Sequence, residues 1–225
     1  MIDHYDWAGG REAMLRFGPA HGPIVVVAMP LFEEANRTRT FVVGLCRHLA
    51  GRGIASVLPD LPGTGESLVE TCDARLADWC AAFGALITEL AATRAVHVAA
   101  IRSGALVDGS FRPTSRWYFA PVDGEELVRG LLRVRLIAGG AGDIDPPGQP
   151  VEFGGNLISR GMIGALRVAT LCDAGRTVRI DSDPRAADVK LPGAALWRRS
   201  EPGDDPALAA LLADDIAGWI ATCAG

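Results

Sequence analysis

The chain has 225 residues, of which 49% are hydrophobic and 22% are charged, and this composition excludes an intrinsically disordered protein. Its length fits one domain, or one domain with an embedded cap. Its formal net charge of −5 excludes the basic excess that nucleic-acid-binding proteins present to phosphates.

Membrane and redox signals predict a soluble, cytoplasmic protein. The longest apolar runs, such as residues 24–29, fall far short of the ~20 residues that span a bilayer, and the N-terminal residues show no secretory signal pattern. The cysteines are odd in number and form no C-x-x-C pair, which favours free thiols in a reducing compartment. They are Cys46, Cys72, Cys80, Cys172 and Cys223.

The first half of the chain alternates predicted strands and helices. An edge hairpin turns at Gly9-Gly10, and a β-branched run at residues 24–29 is typical of a strand buried on both faces. Further elements follow in order: a helix at 36–49, a strand at 54–58, a helix at 73–92 and strands at 95–100 and 117–120. Strands separated by single amphipathic helices predict an α/β fold with a mostly parallel twisted sheet covered on both faces.

After Pro121 the pattern loosens, and we interpret residues 122–171 as a reduced cap inserted into a single domain of residues 1–225. Within the cap we expect a helix at 125–135, a glycine-rich loop over 139–148, a hairpin at 150–157 and a helix at 160–171. A strand at 176–180, another at 194–197 and an amphipathic closing helix at 205–221 complete the expected fold.

The loop after the third buried strand has the form of a nucleophile elbow, a sharp strand-to-helix turn flanked by small residues. Its sequence is Ala-Ile-Arg-Ser-Gly-Ala over residues 100–105. The small residues place Arg102 at the apex, whereas a frame slipped by one residue would place Ser103 there beside the poorly fitting Ile101. We favour Arg102.

Two other loops end neighbouring strands of the sheet. Residues 60–67 read D-x-x-G-x-G-x-S, which marks the corresponding loop of many α/β-hydrolases but is also explained by turn chemistry alone. Residues 30–39 contain Glu33 and Glu34 just before a predicted helix, where negative charge is favourable and where such folds place an oxyanion-hole amide.

Together these motifs resemble the α/β-hydrolase superfamily and, more closely, the exosortase-system-associated hydrolases of its type-two branch. That branch is similar around a P-F-x-E-E-x-N-K/R-S/T-R stretch (here PLFEEANRTR, residues 30–39), a D-L-Y/P-G-x-G-D/E-S loop (here residues 60–67) and an elbow with arginine at its apex followed by x-G-A. Shorter echoes at residues 120–122, 131–136 and 192–197 extend the likeness over nearly the whole chain. This chain departs from the branch in two places: Ala100 stands where the elbow usually has a glycine, and the segment after the elbow, residues 106–113, is short. The resemblance implies an α/β-hydrolase fold and an association with exopolysaccharide production and exosortase protein sorting, but no substrate.

A serine-hydrolase triad needs a histidine after the last strand to take the serine proton. All the histidines of this chain, His4, His21, His48 and His97, precede the elbow. Asp181 and Asp183 follow a strand where the triad acid belongs, but they have no imidazole to orient. We therefore expect the Ser-His-Asp triad to lack both its nucleophile and its base.

Three roles remain open for Arg102, which cannot act as a nucleophile or base at ordinary pH. It pairs internally with Glu33 or Glu34, or it holds an anionic ligand with help from Arg37 or Arg39, or it has an unrecognised catalytic role. We place its pocket among Glu33, Glu34, Asn36 and Arg37 of the neighbouring loop.

The sequence predicts no metal and no cofactor, because no ligand spacing or dinucleotide-binding pattern is present. It favours a non-catalytic or degenerate hydrolase-fold protein that works as a binding, chaperoning or assembly component. The alternative is an esterase or thioesterase that uses Ser103, or a water activated by a carboxylate such as Asp181 or Asp183. The sequence leaves three partners open: a small anionic ligand, a protein partner, or a second copy of the chain in a homodimer. It excludes nucleic acid as a partner.

Overall fold

The structure is a computed structural model that describes residues 1–109, 111–140, 144–145 and 147–223. Its strands are β1 (Ile2–Trp7), β2 (Gly10–Phe17), β3 (Ile24–Ala28), β4 (Ala55–Pro59), β5 (Val96–Ile101), β6 (Ser115–Phe119), β7 (Val151–Phe153), β8 (Asn156–Ile158), β9 (Arg176–Ile180) and β10 (Val189–Leu191). Its α-helices are α1 (Glu33–Gly51), α2 (Leu76–Ala91), α3 (Gly124–Ile137), α4 (Arg160–Arg167) and α5 (Pro206–Cys223), and short 3-10 helices cover Arg102–Leu106 and Leu196–Arg198.

Eight strands form one sheet in the order β1-β2-β4-β3-β5-β6-β9-β10. The β1–β2 hairpin is antiparallel and joins β4 antiparallel, and every other neighbouring pair is parallel. β3, β4 and β5 are buried along their whole length, as expected for strands covered on both faces. The predicted α/β class and mostly parallel sheet are confirmed. β7 and β8 pair separately as a small hairpin.

Alternation along the strands divides the core into two layers. Ile24, Val26 and Ala28 of β3 face a cluster that contains side chains of α2, α3 and α4, whereas Val25 and Val27 face a cluster built from α1 and α5. Successive residues of a strand point to opposite faces, so one short β-branched run supplies both clusters. Because β3, β4, β5 and β6 pair in parallel, their carboxyl ends meet at one edge of the sheet, where ligands of open α/β sheets bind.

The closing helix α5 is the one helix of the described residues that is long and apolar enough to cross a membrane by length and composition. Its buried side chains pack in the same cluster as those of α1. Asp214 pairs with Arg52 of the turn after α1, and Asp215 pairs with Arg176 of β9. These contacts are those of an amphipathic helix that docks on the sheet.

Some predicted bounds differ from the structure. The strand expected at 194–197 is wrong: the edge strand is β10, paired in parallel with β9, and Pro192-Gly193 separates it from the 3-10 helix Leu196–Arg198. Leu196 and Trp197 are apolar because they are buried on the side of α1. Helix α2 begins at Leu76 because residues 60–75 are used in turns, and α4 ends at Arg167. Residues 141–143 and 146 of the expected glycine-rich loop lie outside the described residues.

Candidate functional site

The turn after β5 is a nucleophile elbow with Arg102 at its apex. Arg102 has a φ of 54°, the left-handed conformation that a sharp strand-to-helix turn imposes and that costs a non-glycine residue free energy. Gly104 packs under the loop that follows β3, where a Cβ atom would lie 2.3 Å from the carbonyl oxygen of Met29. The frame slipped to Ser103 is therefore not the one that the chain adopts.

The guanidinium group of Arg102 is held on all three nitrogens. Its Nε and Nη2 donate to Glu34 Oε2 and Oε1 at 3.2 and 3.1 Å, and its Nη1 donates to the carbonyl oxygen of Ala120 at 3.2 Å. The group also lies 4.6 Å from the ring centroid of Trp197, within the range of a cation–π contact. Arg102 is only 7% exposed, so these partners replace water around the charge.

Of the two candidate carboxylates, Glu34 is the partner of Arg102. Glu33, one residue earlier in the first turn of α1, pairs instead with Arg37 one helical turn away. Arg37 also donates from Nη1 to the carbonyl oxygen of Trp197 at 3.0 Å. The two ion pairs together fasten the start of α1 to the elbow and to the segment around Trp197.

Ser103 is fully buried, and its hydroxyl oxygen accepts a hydrogen bond from the backbone N–H of Leu31 at 2.9 Å. Leu31 belongs to the loop that supplies an oxyanion-hole amide in working members of such folds. Within the described residues no imidazole or carboxylate is hydrogen-bonded to Ser103. The hydroxyl therefore holds the loop in place and is not paired with a general base.

The candidate acids lie elsewhere. Asp183 binds Arg179 at 3.0 Å and Arg185 at 2.8 Å, and the hydrogen bonds from Arg185 are the main cause that holds the pKa of its carboxyl well below its usual range. Asp181 is exposed. Neither aspartate lines a cleft beside the elbow, so the structure does not bring Asp181 or Asp183 to Ser103.

A cleft of about 730 Å³ opens over Arg102, and we name it the arginine cleft. It lies between the start of α1, the helix α3 and the 3-10 helix Leu196–Arg198. Its charged lining combines arginines with carboxylates: Arg37, Arg102, Arg129, Arg133 and Arg198, with Glu33, Glu34, Asp123 and Glu126. Its apolar lining consists of Leu31, Val122, Leu127, Leu131, Val134 and Trp197. The predicted residues Glu33, Glu34, Arg37 and Arg102 are thus brought together.

A second cleft of about 670 Å³ lies between the loop after β3 and residues 60–71, over the aromatic side chains of Phe32, Trp79 and Phe83. Asn36 and Arg39 line this second cleft, whereas Glu33, Glu34 and Arg37 line the arginine cleft. The reason is helical geometry, because Glu33 and Arg37 are one turn apart on one face of α1 and Asn36 and Arg39 project from another.

Turn chemistry explains the D-x-x-G-x-G-x-S loop at this second cleft. The carboxylate of Asp60 accepts the N–H of Glu66 at 3.0 Å, and the hydroxyl of Ser67 accepts the N–H of Gly63 at 2.9 Å. Gly65 has a φ of 55°, and a Cβ atom there would lie 2.2 Å from the Asp60 carboxylate. The loop is therefore shaped by local hydrogen bonds and close packing.

Sequence reasoning missed several residues of the site. Trp197, which contacts the Arg102 guanidinium, could not be assigned to the site from the sequence because it follows a weakly patterned segment. Arg129 and Arg133 are one helical turn apart on α3, and this spacing is a signal that could have placed both on one face of the expected cap helix. Arg198 follows Trp197 directly and enters the cleft with it.

A buried polar cluster lies apart from both clefts. Asp108 accepts hydrogen bonds from Tyr118 Oη at 2.6 Å and from Arg116 Nε at 2.9 Å, and burial raises the pKa of its carboxyl. The thiol of Cys172 lies 3.1 Å from the carbonyl oxygen of Asp108. No group of three or more metal-ligating side chains occurs among the described residues.

Neither a protein-family model nor a curated protein matches the chain, but solved structures do. Est1E from Butyrivibrio proteoclasticus, solved with ferulic acid, has a TM-score of 0.66 at 12% identity, and the match covers 98% of each chain. A thermophilic esterase from Thermogutta terrifontis has a TM-score of 0.53 at 15% identity over 99% of each chain. The bottromycin epimerase BotH has a TM-score of 0.54 at 17% identity over 96% of this chain and 98% of BotH. The chain therefore has the α/β-hydrolase fold.

Proposed function

We propose that this α/β-hydrolase-fold protein is a non-catalytic or degenerate member that binds a ligand or partner in place of cleaving an ester. The observation that carries the proposal is the state of Arg102. The residue at the nucleophile position is a guanidinium engaged by Glu34, Ala120 and Trp197, and a guanidinium attacks no carbonyl group at neutral pH.

The arrangement of Ser103 and the histidines supports the same proposal. Ser103 donates no proton to a base in the described residues, and its hydroxyl is used by the N–H of Leu31. His97, the last histidine in the chain, precedes the elbow and bonds through Nδ1 to Ser115 at 2.8 Å. Nucleophilic catalysis in this fold requires a base within hydrogen-bond reach of the nucleophile.

The pathway and the cap belong to the proposal as well. The PLFEEANRTR stretch of residues 30–39 resembles the exosortase-associated branch, which supports a role as a binding, chaperoning or assembly component beside exopolysaccharide or protein-sorting machinery in the cytoplasm. We take residues 122–171 as the cap of a single domain, because α3 and α4 pack together beside the elbow. A protein partner of that machinery and a second copy of the chain are the macromolecular partners consistent with this role.

A second candidate function is an esterase or thioesterase that uses Ser103 or a carboxylate-activated water. The esterase from Thermogutta terrifontis among its structural neighbours favours this candidate, whereas the burial of Ser103 and the arginine partners of Asp183 oppose it.

Turnover of short-chain p-nitrophenyl esters and acyl thioesters separates the two functions. Wild-type protein, Ser103→Ala and Arg102→Ala are assayed in parallel, with folding checked by circular dichroism. The proposal expects none of the three to exceed the spontaneous rate. Turnover by the wild type that is lost in Ser103→Ala overturns it and establishes a working hydrolase.

A further inference from the structure

The arginine cleft carries positive charge that the protein leaves without a partner. Five arginines and four carboxylates line it, and every carboxylate already has a donor. The donors are Arg37 for Glu33, Arg102 for Glu34, the N–H of Glu126 for Asp123, and Arg185 for Glu126. Three of the four carboxylates are thus paired with arginines, and Asp123 caps the start of α3. Arg129 pairs with Glu125 one turn earlier on α3.

Arg133 on α3 and Arg198 after Trp197 are the cations left over. Both side chains are exposed, and neither has an ion pair or hydrogen bond among the described residues. Arg102 lies at the buried floor of the same cleft, with each nitrogen already used. An anion that enters the cleft consequently meets two free guanidinium groups, and guanidinium is the group best suited to hold a carboxylate or phosphate in bidentate geometry.

The rest of the lining is apolar. Leu127, Leu131 and Val134 line the cleft from α3, and Leu31 and Val122 complete this surface. A volume of about 730 Å³ lies in the range of small-molecule sites. Nine of the lining residues are charged and six are apolar, so the cleft suits a ligand that has both a charged group and an apolar part. The second cleft has the opposite charge, because Asp60, Glu66 and Glu70 line it with Arg39 as the cation.

We propose that the arginine cleft binds an amphiphilic organic anion, an alkyl carboxylate or an alkyl phosphate. Its charged group is held by Arg133 and Arg198, and its hydrocarbon part lies on Leu127, Leu131 and Val134. The inference rests on the proposed function, because the ligand is bound over an elbow that has no nucleophile and is released without chemical change.

Isothermal titration calorimetry tests the ligand class with four probes: octanoate, octyl phosphate, inorganic phosphate and octanol. We expect both amphiphilic anions to bind and the neutral alcohol and inorganic phosphate to bind at least tenfold more weakly. Hexanoate, two methylene groups shorter, should bind about 15-fold more weakly than octanoate, since each buried methylene group contributes about fourfold in affinity. A preference for octyl phosphate over octanoate assigns a phosphate headgroup, and the reverse assigns a carboxylate. Failure of both anions to bind, or equal binding of octanol, overturns the inference.

Substitution of the two free arginines tests the position of the site. The double variant Arg133→Gln/Arg198→Gln should bind the preferred anion about 25-fold more weakly, because each exposed charge contact contributes up to about fivefold. Arg47→Gln is the matched control: Arg47 is an exposed arginine of α1 that does not line the cleft, and its loss should change affinity less than twofold. The double variant should keep the melting temperature of the wild type, since neither side chain has a partner to lose. Equal weakening by Arg47→Gln, or unchanged binding in the double variant, contradicts the assignment.

The outcomes separate this inference from the proposed function. Octanoate binding together with ester turnover by the wild type would overturn the non-catalytic role and leave the anion site in place. Absence of both binding and turnover would overturn the anion site alone.

Discussion

The ion pair between Arg102 and Glu34 should be a measurable part of the stability of this fold. We consider Arg102→Met, which keeps an unbranched apolar stem beside Trp197 and removes the charge. The substitution leaves the Glu34 carboxylate without its partner and removes the donor to the carbonyl oxygen of Ala120. Breaking a buried pair from one side costs about 3–5 kcal/mol. The Glu34 side chain is 21% exposed and regains part of its hydration, so we expect the lower end, about 3 kcal/mol.

Urea unfolding followed by tryptophan fluorescence measures this loss as a lower midpoint at an unchanged slope. A cycle with Glu34→Gln isolates the pair: each single variant should destabilise the protein, and the double variant should lose about 2 kcal/mol less than the sum of the singles. A loss below about 1 kcal/mol in Arg102→Met, or additive effects of the two single variants, would show that the ion pair is not energetically coupled.

The backbone at the elbow offers a matched comparison for the same position. Arg102 has a φ of 54°, which alanine adopts at a cost and glycine does not. Both Arg102→Ala and Arg102→Gly remove every side-chain partner, so their difference reports the backbone strain. We expect the glycine variant to be about 1 kcal/mol more stable than the alanine variant. Equal stabilities would mean that the elbow relaxes when the guanidinium is lost.

Three further predictions concern the fold around the site. Gly124→Ala should destabilise the protein by more than about 3 kcal/mol, because a Cβ atom there would lie 1.7 Å from a backbone carbonyl oxygen of α4. Gly44→Ala has open space on α1 and should stabilise the protein by up to about 1 kcal/mol. Thermal unfolding measures both variants, and a loss of similar size in both would contradict the prediction. Tyr118→Phe should cost about 1–3 kcal/mol in urea unfolding because it removes a hydrogen bond to the buried Asp108, and a loss under about 0.5 kcal/mol would show that the carboxylate needs no hydroxyl donor. The pKa of Asp183 is held below its usual range, chiefly by Arg185, so the carboxylate contributes its full stability above about pH 4 and loses it as the pH drops towards the folded-state pKa. Asp183→Asn should therefore flatten the acid side of a curve of unfolding free energy measured between pH 2 and 6. An unchanged slope in this variant would contradict the assignment.

Much of the fold could be predicted because it depends on local patterns. The strand Ile24–Ala28 is β-branched at its first four residues, which predicts a strand covered on both faces, and the glycine and alanines around Arg102 predict the elbow. The acidic first turn of α1 placed two carboxylates near Arg102, and one of them, Glu34, is its partner.

The rest depends on three-dimensional geometry that a one-dimensional pattern does not carry. The choice between Glu33 and Glu34 is set by the angular position of each on α1, which also directs Asn36 and Arg39 into a different cleft from Arg37. Trp197 was expected in a strand because it is apolar, whereas it lies in a 3-10 helix and is buried against Phe119, 5.9 Å between ring centroids. A short apolar segment has the same sequence pattern whether it is buried within a sheet or under a neighbouring helix.

Ser103 carries a structural hydroxyl next to Arg102 and is not a nucleophile. Incubation of the wild-type protein with a fluorophosphonate, which phosphonylates activated serines whatever their natural substrate, followed by intact mass measurement, tests it most directly. Ser103→Ala serves as the control. We expect both proteins to keep their unmodified mass, because Ser103 is buried and its hydroxyl accepts the N–H of Leu31. A single adduct on the wild type that is absent from Ser103→Ala would contradict it.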